Sequence, residues 1–212
     1  MADIEEVAGN DVTIRFDGGR CIHSRHCVLT HPDVFVPNVA GAWIHPDAQP
    51  AEAVAALARN CPSGAISYQR RDGGLNEAAP LVNTLWLREN GPLALSAPLT
   101  INGTAAGFRA TLCRCGASKN KPYCDTSHHA AGFTATGEPK VMESKPLARR
   151  DGPLSVTTFK NGPIQVDGSL EIVSGTGATL NRVSQAFFCR CGGSQNKPYC
   201  DGSHRKIGFS AD

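Results

Sequence analysis

A pattern of sixteen residues that occurs twice constrains this chain more than any other feature. Each copy offers three thiols and one imidazole at the same spacing, C-x-C-x₈-C-x₃-H, and the two copies use six of the nine cysteines. We interpret each copy as one metal site. The candidate ligands are Cys113, Cys115, Cys124 and His128 in the first copy, and Cys189, Cys191, Cys200 and His204 in the second.

Composition excludes several classes of function. The 212 residues carry a formal net charge of +2 with no basic or acidic block, so nothing indicates binding to nucleic acid or to an anionic membrane. The N-terminus is acidic without the apolar core of a secretory signal, and no run reaches the roughly 18–20 apolar residues of a membrane span. We therefore expect a cytoplasmic protein, in which clustered cysteines serve metal or redox chemistry rather than disulfides.

The two motifs belong to a longer repeat. Asn90-Gly-Pro-Leu precedes the first copy and Asn161-Gly-Pro-Ile precedes the second, and the second copy has extra residues that predict a longer hairpin near 174–177. Each unit is too small to bury much core alone, so we expect the copies to pack about a pseudo-two-fold axis and share one sheet. The predicted strands of this region are 81–87, 93–96, 99–101, 154–159, 164–166 and 170–173.

The ligand types and their spacing narrow the choice of metal. Thiolates are soft and imidazole is intermediate, a set that suits zinc or an iron–sulfur cluster. Mononuclear zinc sites usually present C-x₂₋₄-C pairs, whereas the pair here is C-x-C. Two ligand pairs fit a two-iron cluster, with Cys189 and Cys191 on one iron and Cys200 and His204 on the other. A structural zinc site is the alternative. Asp201 is placed to cap a short helix that begins after Cys200.

The motif resembles that of the CDGSH iron–sulfur family, the family of mitoNEET, whose pattern is C-x-C-x₂-[S/T]-x₃-P-x-C-D-G-[S/A/T]-H. Residues 189–204 match every position, and residues 113–128 differ only at Thr126, where the pattern has Gly. The resemblance covers roughly residues 75–212 and implies a [2Fe–2S] cluster held by three Cys and one His in each copy. Because a Cβ would strain a turn with positive φ, we expect Thr126 to make the first site slightly different in potential or lability.

The single imidazole has two consequences in such a site. A neutral ring in place of a thiolate leaves the cluster with one less negative charge, which makes reduction easier. Below the ordinary imidazole pKa of roughly 6.5, protons compete with iron for the ring nitrogen. We therefore expect clusters that are labile in acid, with His128 and His204 as the points of release.

A second resemblance covers residues 11–69. The run Cys21-x₂-Ser24-x₂-Cys27 with a later Cys61-Pro follows the ferredoxin spacing, except that Ser24 takes the middle position. The predicted order resembles the divergent mono-cluster ferredoxin domain: strand 11–16, cysteine loop, hairpin 34–36 with 42–44, helix 50–59 and strand 65–68. Three thiols suit a [3Fe–4S] cluster, whereas a [4Fe–4S] cluster needs a fourth ligand, namely Ser24, His23, His26 or water. An empty relic of a site is the alternative.

These features predict an α+β protein with two parts. A small ferredoxin-like α/β domain occupies residues 1–69, and a β-rich duplicated CDGSH region follows, with repeats at 70–148 and 149–212 and short helices at the cluster sites. The chain has no Ser/His/Asp arrangement, Walker loop or dinucleotide fingerprint, so we do not expect an enzyme.

Our first hypothesis is one-electron transfer by two [2Fe–2S] clusters, with a third cluster at Cys21, Cys27 and Cys61. The expected partner is a redox protein or an apo-protein that accepts clusters, and we expect the chain to be a monomer. A cluster carrier, or a redox or pH sensor that releases clusters through His, is the second hypothesis. A zinc-stabilised interaction module is the third.

Overall fold

The computed structural model describes residues 4–212, and the chain divides into two compact units. The first unit ends at Ala78 and the second begins at Ala79. Strands dominate and helices are short, as expected for an α+β protein. None of the helices in residues 4–212 is long and apolar enough to cross a membrane.

A three-stranded antiparallel sheet and one main helix form the first unit. Its elements are β1 (Ile4–Ala8), β2 (Val12–Asp17), α1 (His26–Thr30), α2 (Ala51–Arg59) and β3 (Ile66–Arg70), with 3₁₀ turns at Gly18–Arg20 and Pro46–Ala48. β2 is the central strand. Val12 and Ile14 lie two positions apart, so their side chains point to the same face of the strand. They share a buried core with Val54 and Leu57 of α2.

The strands and the helix predicted for the first unit are present within a residue or two of the predicted bounds, a normal spread for element ends. The predicted hairpin at 34–36 and 42–44 does not form two strands. A single antiparallel bridge joins Phe35 to Ile44, beside a 2.8 Å hydrogen bond from the Val36 N–H to the Trp43 carbonyl. The segments are too short to extend this contact into a ladder.

An eight-stranded sheet organises the second unit. Its elements are β4 (Thr84–Leu87), β5 (Leu93–Ser96), β6 (Leu99–Ile101), β7 (Thr104–Ala105), β8 (Arg109–Leu112), β9 (Leu154–Thr158), β10 (Ile164–Val173), β11 (Thr179–Phe188) and the helix α3 (Ser203–Lys206). The strand order is β7-β6-β9-β10-β4-β5-β8, and β11 also pairs with β10. The long strand β10 therefore has three partners.

The two repeats pair their strands reciprocally. β4 of the first repeat runs parallel to the second half of β10, with Leu85 opposite Ile172. β9 of the second repeat runs parallel to β6, with Val156 opposite Ile101. Leu85 and Val156 hold equivalent places in their repeats, as do Ile101 and Ile172. All four side chains are buried in one core, so neither repeat has a complete core of its own.

The predicted strands 93–96 and 99–101 are confirmed at their predicted bounds, and the runs 164–166 and 170–173 are joined in β10. β4 is shorter than the predicted strand 81–87, since Leu81 is 91% exposed and lies outside the sheet. The predicted turn near 174–177 is closed by a 2.9 Å hydrogen bond from the Ser174 N–H to the Ala178 carbonyl. Sequence patterns do not predict β8 or β11, in which polar and apolar residues are equally frequent and give no clear strand signal.

Candidate metal centres

The first copy of the repeated motif brings its four donors together as two pairs. Cys113 Sγ lies 3.7 Å from Cys115 Sγ. Cys124 Sγ lies 3.5 Å from Nδ1 of His128, so Nδ1 is the imidazole nitrogen that faces the thiols. The structure therefore groups the donors by the same pairs that the spacing predicts.

The second copy repeats this arrangement. Cys189 Sγ lies 3.7 Å from Cys191 Sγ, and Cys200 Sγ lies 3.4 Å from Nδ1 of His204. Within residues 4–212, no group of three or more His, Cys, Asp or Glu side chains is placed around a point where a single metal ion would sit. Paired donors are thus the common feature of both sites.

Backbone N–H groups point at the sulfurs in both copies. The N–H groups of Ala117 and Thr126 lie 3.4 Å from Sγ of Cys115 and Cys124, respectively. The second copy makes the same contacts at the same distance, from Gly193 to Cys191 and from Gly202 to Cys200. Hydrogen bonds to sulfur favour the thiolate form that binds metals.

The serine and aspartate of the motif hold the loop in shape. Ser118 Oγ donates to the Tyr123 carbonyl at 2.7 Å, and the Asp125 carboxylate accepts from the N–H groups of Lys119 and Ser127. The second copy makes the same bonds through Ser194 and Asp201. These side chains therefore hold in place the loops that carry the candidate ligands.

The helix predicted after Cys200 is a single turn, α3, which Gly202 precedes as the N-cap residue. Asp201 lies one position earlier and accepts from the Ser203 N–H at 3.0 Å. Hydrogen bonds from Ser203 and Gln195 hold the pKa of Asp201 well below its usual range. In the first copy the corresponding residues form a turn instead of a helix. The N–H groups of this segment that contact sulfur are those of Thr126 and Gly202, rather than those of residues in α3.

Four of the candidate ligand thiols carry shifted pKa values. The hydrogen bond with Cys115 lowers the pKa of Cys113 to about 6, and the same shared proton raises the pKa of Cys115. Burial raises the pKa of Cys124 to about 11 and that of Cys191 to about 11. Because thiol ligands must lose their protons, metal binding by these thiols would release protons and would weaken as the pH falls.

Sequence reasoning missed one pair of site residues, Arg114 and Arg190, which lie between the two cysteines of each C-x-C pair. Both side chains are 1% exposed. The carbonyl groups that accept from Arg114 belong to Arg88, Gly91, Ala135 and Thr136, and those that accept from Arg190 belong to Phe159, Gly162, Ala211 and Asp212. Each arginine thus ties its motif to the loop before it and the tail after it. An arginine at the same position of both motifs was the sequence signal that pointed to this role.

The two sites meet at their second cysteines. An isolated antiparallel bridge joins Cys115 to Cys191. The residues that follow them, Gly116 and Gly192, have φ values of +85° and +79°, which glycine adopts without strain. The motif glycines therefore permit the close approach of the two ligand loops.

The sites differ in how far their outer donors are shielded. His128 is 8% exposed and Cys124 is buried, whereas His204 and Cys200 are half-buried. The His128 ring also packs 4.1 Å, centre to centre, from the ring of His129. Burial lowers the pKa of His128, which favours the neutral ring that binds a metal.

Backbone strain is a second difference between the sites. Thr126 has a φ of +70°, and Gly202 has a φ of +84° at the equivalent position. A β-branched residue in this region is a true outlier. The turn therefore requires positive φ in both copies, and only the first copy meets that requirement with a side chain that disfavours it.

The three remaining cysteines line one cavity in the first unit. This cavity has a volume of about 570 Å³, and its lining includes Cys21, Cys27 and Cys61. The candidate fourth ligands His23, Ser24 and His26 line the same cavity. Burial raises the pKa of Cys21 and of Cys27. The structure thus brings together residues that are separated by up to forty positions in the sequence.

The residues present fit iron–sulfur groups. Thiolate is the usual protein ligand of such clusters, and imidazole replaces it in some of them. The two motif sites supply six thiols, two imidazoles and N–H groups directed at sulfur. The cavity of the first unit adds three thiols in a space large enough for a small inorganic group.

Comparison with known families gives two matches. The family described as iron-binding zinc finger, CDGSH type, matches residues 90–129 and 161–205. The family described as a divergent 4Fe–4S mono-cluster matches residues 7–71. A search of curated proteins finds no match to the chain.

The donor sets and the two matches define an iron–sulfur-binding protein. More particularly, the chain is a tandem CDGSH protein with an N-terminal divergent 4Fe–4S mono-cluster domain, which confirms both resemblances.

Proposed function

We propose that residues 113–128 and 189–204 each hold one [2Fe–2S] cluster through three Cys and one His, and that the protein works in one-electron transfer. The pairing of the donors carries this proposal. In each copy two thiols lie 3.7 Å apart and the third lies within 3.5 Å of an imidazole nitrogen. A two-iron group takes two protein ligands on each metal, whereas a structural zinc ion takes four around one point.

An iron–sulfur group supplies reversible one-electron chemistry when bound. The chain sets the potential at which that chemistry occurs. All-Cys plant-type sites lie at about −400 mV, and sites with two His ligands lie at about −150 to +300 mV. A neutral imidazole and N–H groups at sulfur both favour the reduced form. We therefore expect the two sites to lie between these limits.

The Cys115–Cys191 bridge supports electron exchange between the two sites. It places the ligand loops in direct contact, and short distance is what rapid electron transfer needs. The reciprocal pairing of β4 with β10 and of β9 with β6 supports a further interpretation. The two repeats form a pseudo-dimer within one chain, with one sheet whose strands β8 and β11 lead directly into the two motifs.

A third cluster, in the cavity lined by Cys21, Cys27 and Cys61, is part of the proposal. The shared cavity supports it, because three thiols from distant parts of the sequence line it. A [3Fe–4S] cluster needs no further ligand. A [4Fe–4S] cluster takes its fourth ligand from Ser24, His23, His26 or water.

The half-buried ligands of the second site favour a second candidate function, cluster donation. Cys200 and His204 are less shielded than Cys124 and His128, so an acceptor has better access to them. Transfer of iron and sulfide to an apo-ferredoxin, with the acceptor's visible spectrum as the readout, distinguishes a donor from an electron carrier. An electron carrier keeps its clusters over many cycles of reduction and oxidation.

Iron, acid-labile sulfide and zinc should be measured per chain on protein purified without oxygen. About four irons with about four sulfides correspond to two [2Fe–2S] clusters, and about seven or eight irons include the third cluster. About two zinc ions with no sulfide would overturn the proposal. The proposal also requires that each site take up one electron in an optical redox titration.

A further inference from the structure

The two repeats share their ligands but differ in the surface beside the histidine. In the second repeat this surface is a cleft of about 660 Å³, onto which Cys200 and His204 open. We call it the His204 face. Its other side-chain contributors include Phe159, Lys160, Phe187 and Arg205. A surface at which ligands are accessible is where electrons or clusters can leave the protein.

Two aromatic side chains are exposed on the His204 face. Phe159 is 44% exposed and Phe187 is 41% exposed. Their ring centres lie 6.2 Å apart, so they form one apolar patch rather than two isolated contacts. Adjacent exposed aromatics beside polar groups are typical of protein-binding surfaces, since aromatic anchors supply much of the binding energy there.

The charges of the His204 face are of one sign. Lys160 and Arg205 line the cleft, no carboxylate does, and Lys206 follows on α3. The nearby carboxylate of Asp201 is engaged by the N–H groups of Gln195 and Ser203. Cations around an apolar centre attract an acidic surface and orient it.

The first repeat has different residues at the same places. The places of Phe159 and Phe187 are taken by Arg88 and Thr111. Those of Lys160 and Arg205 are taken by Glu89 and His129. Thr111 is 2% exposed, the Arg88 guanidinium lies over the Trp86 ring, and Glu89 accepts from the Gly137 N–H. An apolar patch with cations is therefore built beside one histidine and not beside the other.

We propose that the His204 face is the docking surface for an acidic redox protein, which exchanges electrons with the second site. This inference rests on the proposed function. In the exchange, one electron leaves the reduced centre of the partner and is taken up at the second site, and no covalent bond forms or breaks. The first site then communicates with the partner through the Cys115–Cys191 contact.

A charge-reversal series on the full-length protein with its clusters tests the proposal. The probe is a reduced, acidic plant-type [2Fe–2S] ferredoxin, and stopped-flow absorbance gives the second-order rate constant for electron transfer. The test variant is Lys160→Glu with Arg205→Glu. The control is Arg88→Glu with Lys140→Glu, which changes net charge equally on exposed residues of the first repeat that lie outside its motif. Phe187→Thr copies the first repeat and tests the apolar patch.

We expect the test variant to lose about tenfold or more in rate at low ionic strength, and the control to lose no more than about threefold. The difference should shrink in about 0.5 M salt, where charges are screened. Phe187→Thr should slow transfer with little change in salt dependence. Equal losses in test and control variants, or saturable transfer that neither variant affects, would overturn the docking surface.

Two further readouts separate the other outcomes. Dithionite should reduce every variant like the native protein, and a native protein that dithionite does not reduce would refute the proposed redox function itself. A native protein that dithionite reduces but ferredoxin does not would refute only the docking surface. Sedimentation that shows a native dimer and a monomeric Phe187→Thr variant would identify the occupant as a second copy of this chain, against the proposal.

Discussion

A Cβ atom on Gly116 would lie 2.6 Å from the backbone carbonyl oxygen of Cys191. In the reciprocal contact, a Cβ on Gly192 would lie 2.4 Å from the carbonyl oxygen of Cys115. The atoms in the way belong to the backbone of candidate ligands and cannot move like the end of a flexible side chain. Each site's geometry therefore depends on the glycine of the other site.

Gly116→Ala should disturb both sites. The added methyl group strains its own backbone by about 1–2 kcal/mol and overpacks the contact by about 1–3 kcal/mol. We expect a lower melting temperature and less iron in both sites, measured by calorimetry and metal analysis. Gly107→Ala is the control, because Gly107 also has a positive φ, +72°, but no atom lies within 4 Å of its would-be Cβ. Equal effects of the two substitutions would show that strain alone matters.

Thr126→Gly should stabilise the first site. A non-glycine residue in left-handed backbone costs about 1–3 kcal/mol, and the freedom that glycine adds to the unfolded chain offsets about 0.5–1 kcal/mol of the gain. We expect a higher melting temperature and slower loss of the first cluster's visible absorbance. Gly202→Thr, the reverse change in the second copy, should do the opposite there. A faster loss in Thr126→Gly would contradict the role assigned to strain.

Acid should release the second cluster before the first. Burial lowers the pKa of His128, so protons begin to occupy its free ring only at a lower pH than for an ordinary imidazole. His204 is half-buried and less protected from solvent. Decay of visible absorbance between about pH 7 and pH 5 should therefore have two phases. His204→Cys should remove the faster phase, and a single phase in the native protein would count against the difference in shielding.

Replacing either histidine by cysteine should have two effects, both confined to the site of that histidine. A thiolate in place of a neutral imidazole adds negative charge, so the reduction potential of that site should move toward about −400 mV. The acid decay of that site should also slow, because the imidazole nitrogen for which protons compete with iron is gone. Potentiometric titration of His128→Cys and His204→Cys gives matched controls. Unchanged potential and decay at a substituted site would mean that its histidine is not a ligand.

Ser24→Cys should alter the third cluster. Ser24 lines the same cavity as Cys21, Cys27 and Cys61, so a thiol there supplies the missing fourth ligand. Iron in the first unit should rise from about three to about four atoms, and the paramagnetic resonance of an oxidised [3Fe–4S] cluster should disappear. Cys61→Ser serves as the control that removes iron from this site alone. If the first unit of the native protein contains no iron, its three cysteines are an empty relic of a cluster site.

The pairing of the candidate ligands in each motif was predictable because each motif lies within sixteen residues. Short loops with glycine, proline and a capping aspartate impose their geometry locally, so spacing alone indicates which donors pair. The strands 93–96 and 99–101 were predictable for a similar reason, since apolar β-type runs are local signals. The ladders of β8 and β11 were not, because segments with as many polar as apolar residues give a weak local signal and become strands only when a partner strand supplies their hydrogen bonds.

The sequence by itself determined the number of motif sites, their donors and the pairing of those donors. Only the tertiary structure decided that Cys115 meets Cys191, that Cys61 joins Cys21 and Cys27, and that His204 is less shielded than His128. The reason is physical. Ligand spacing is set by a few neighbouring backbone dihedral angles, whereas contact and burial depend on how distant strands share one core.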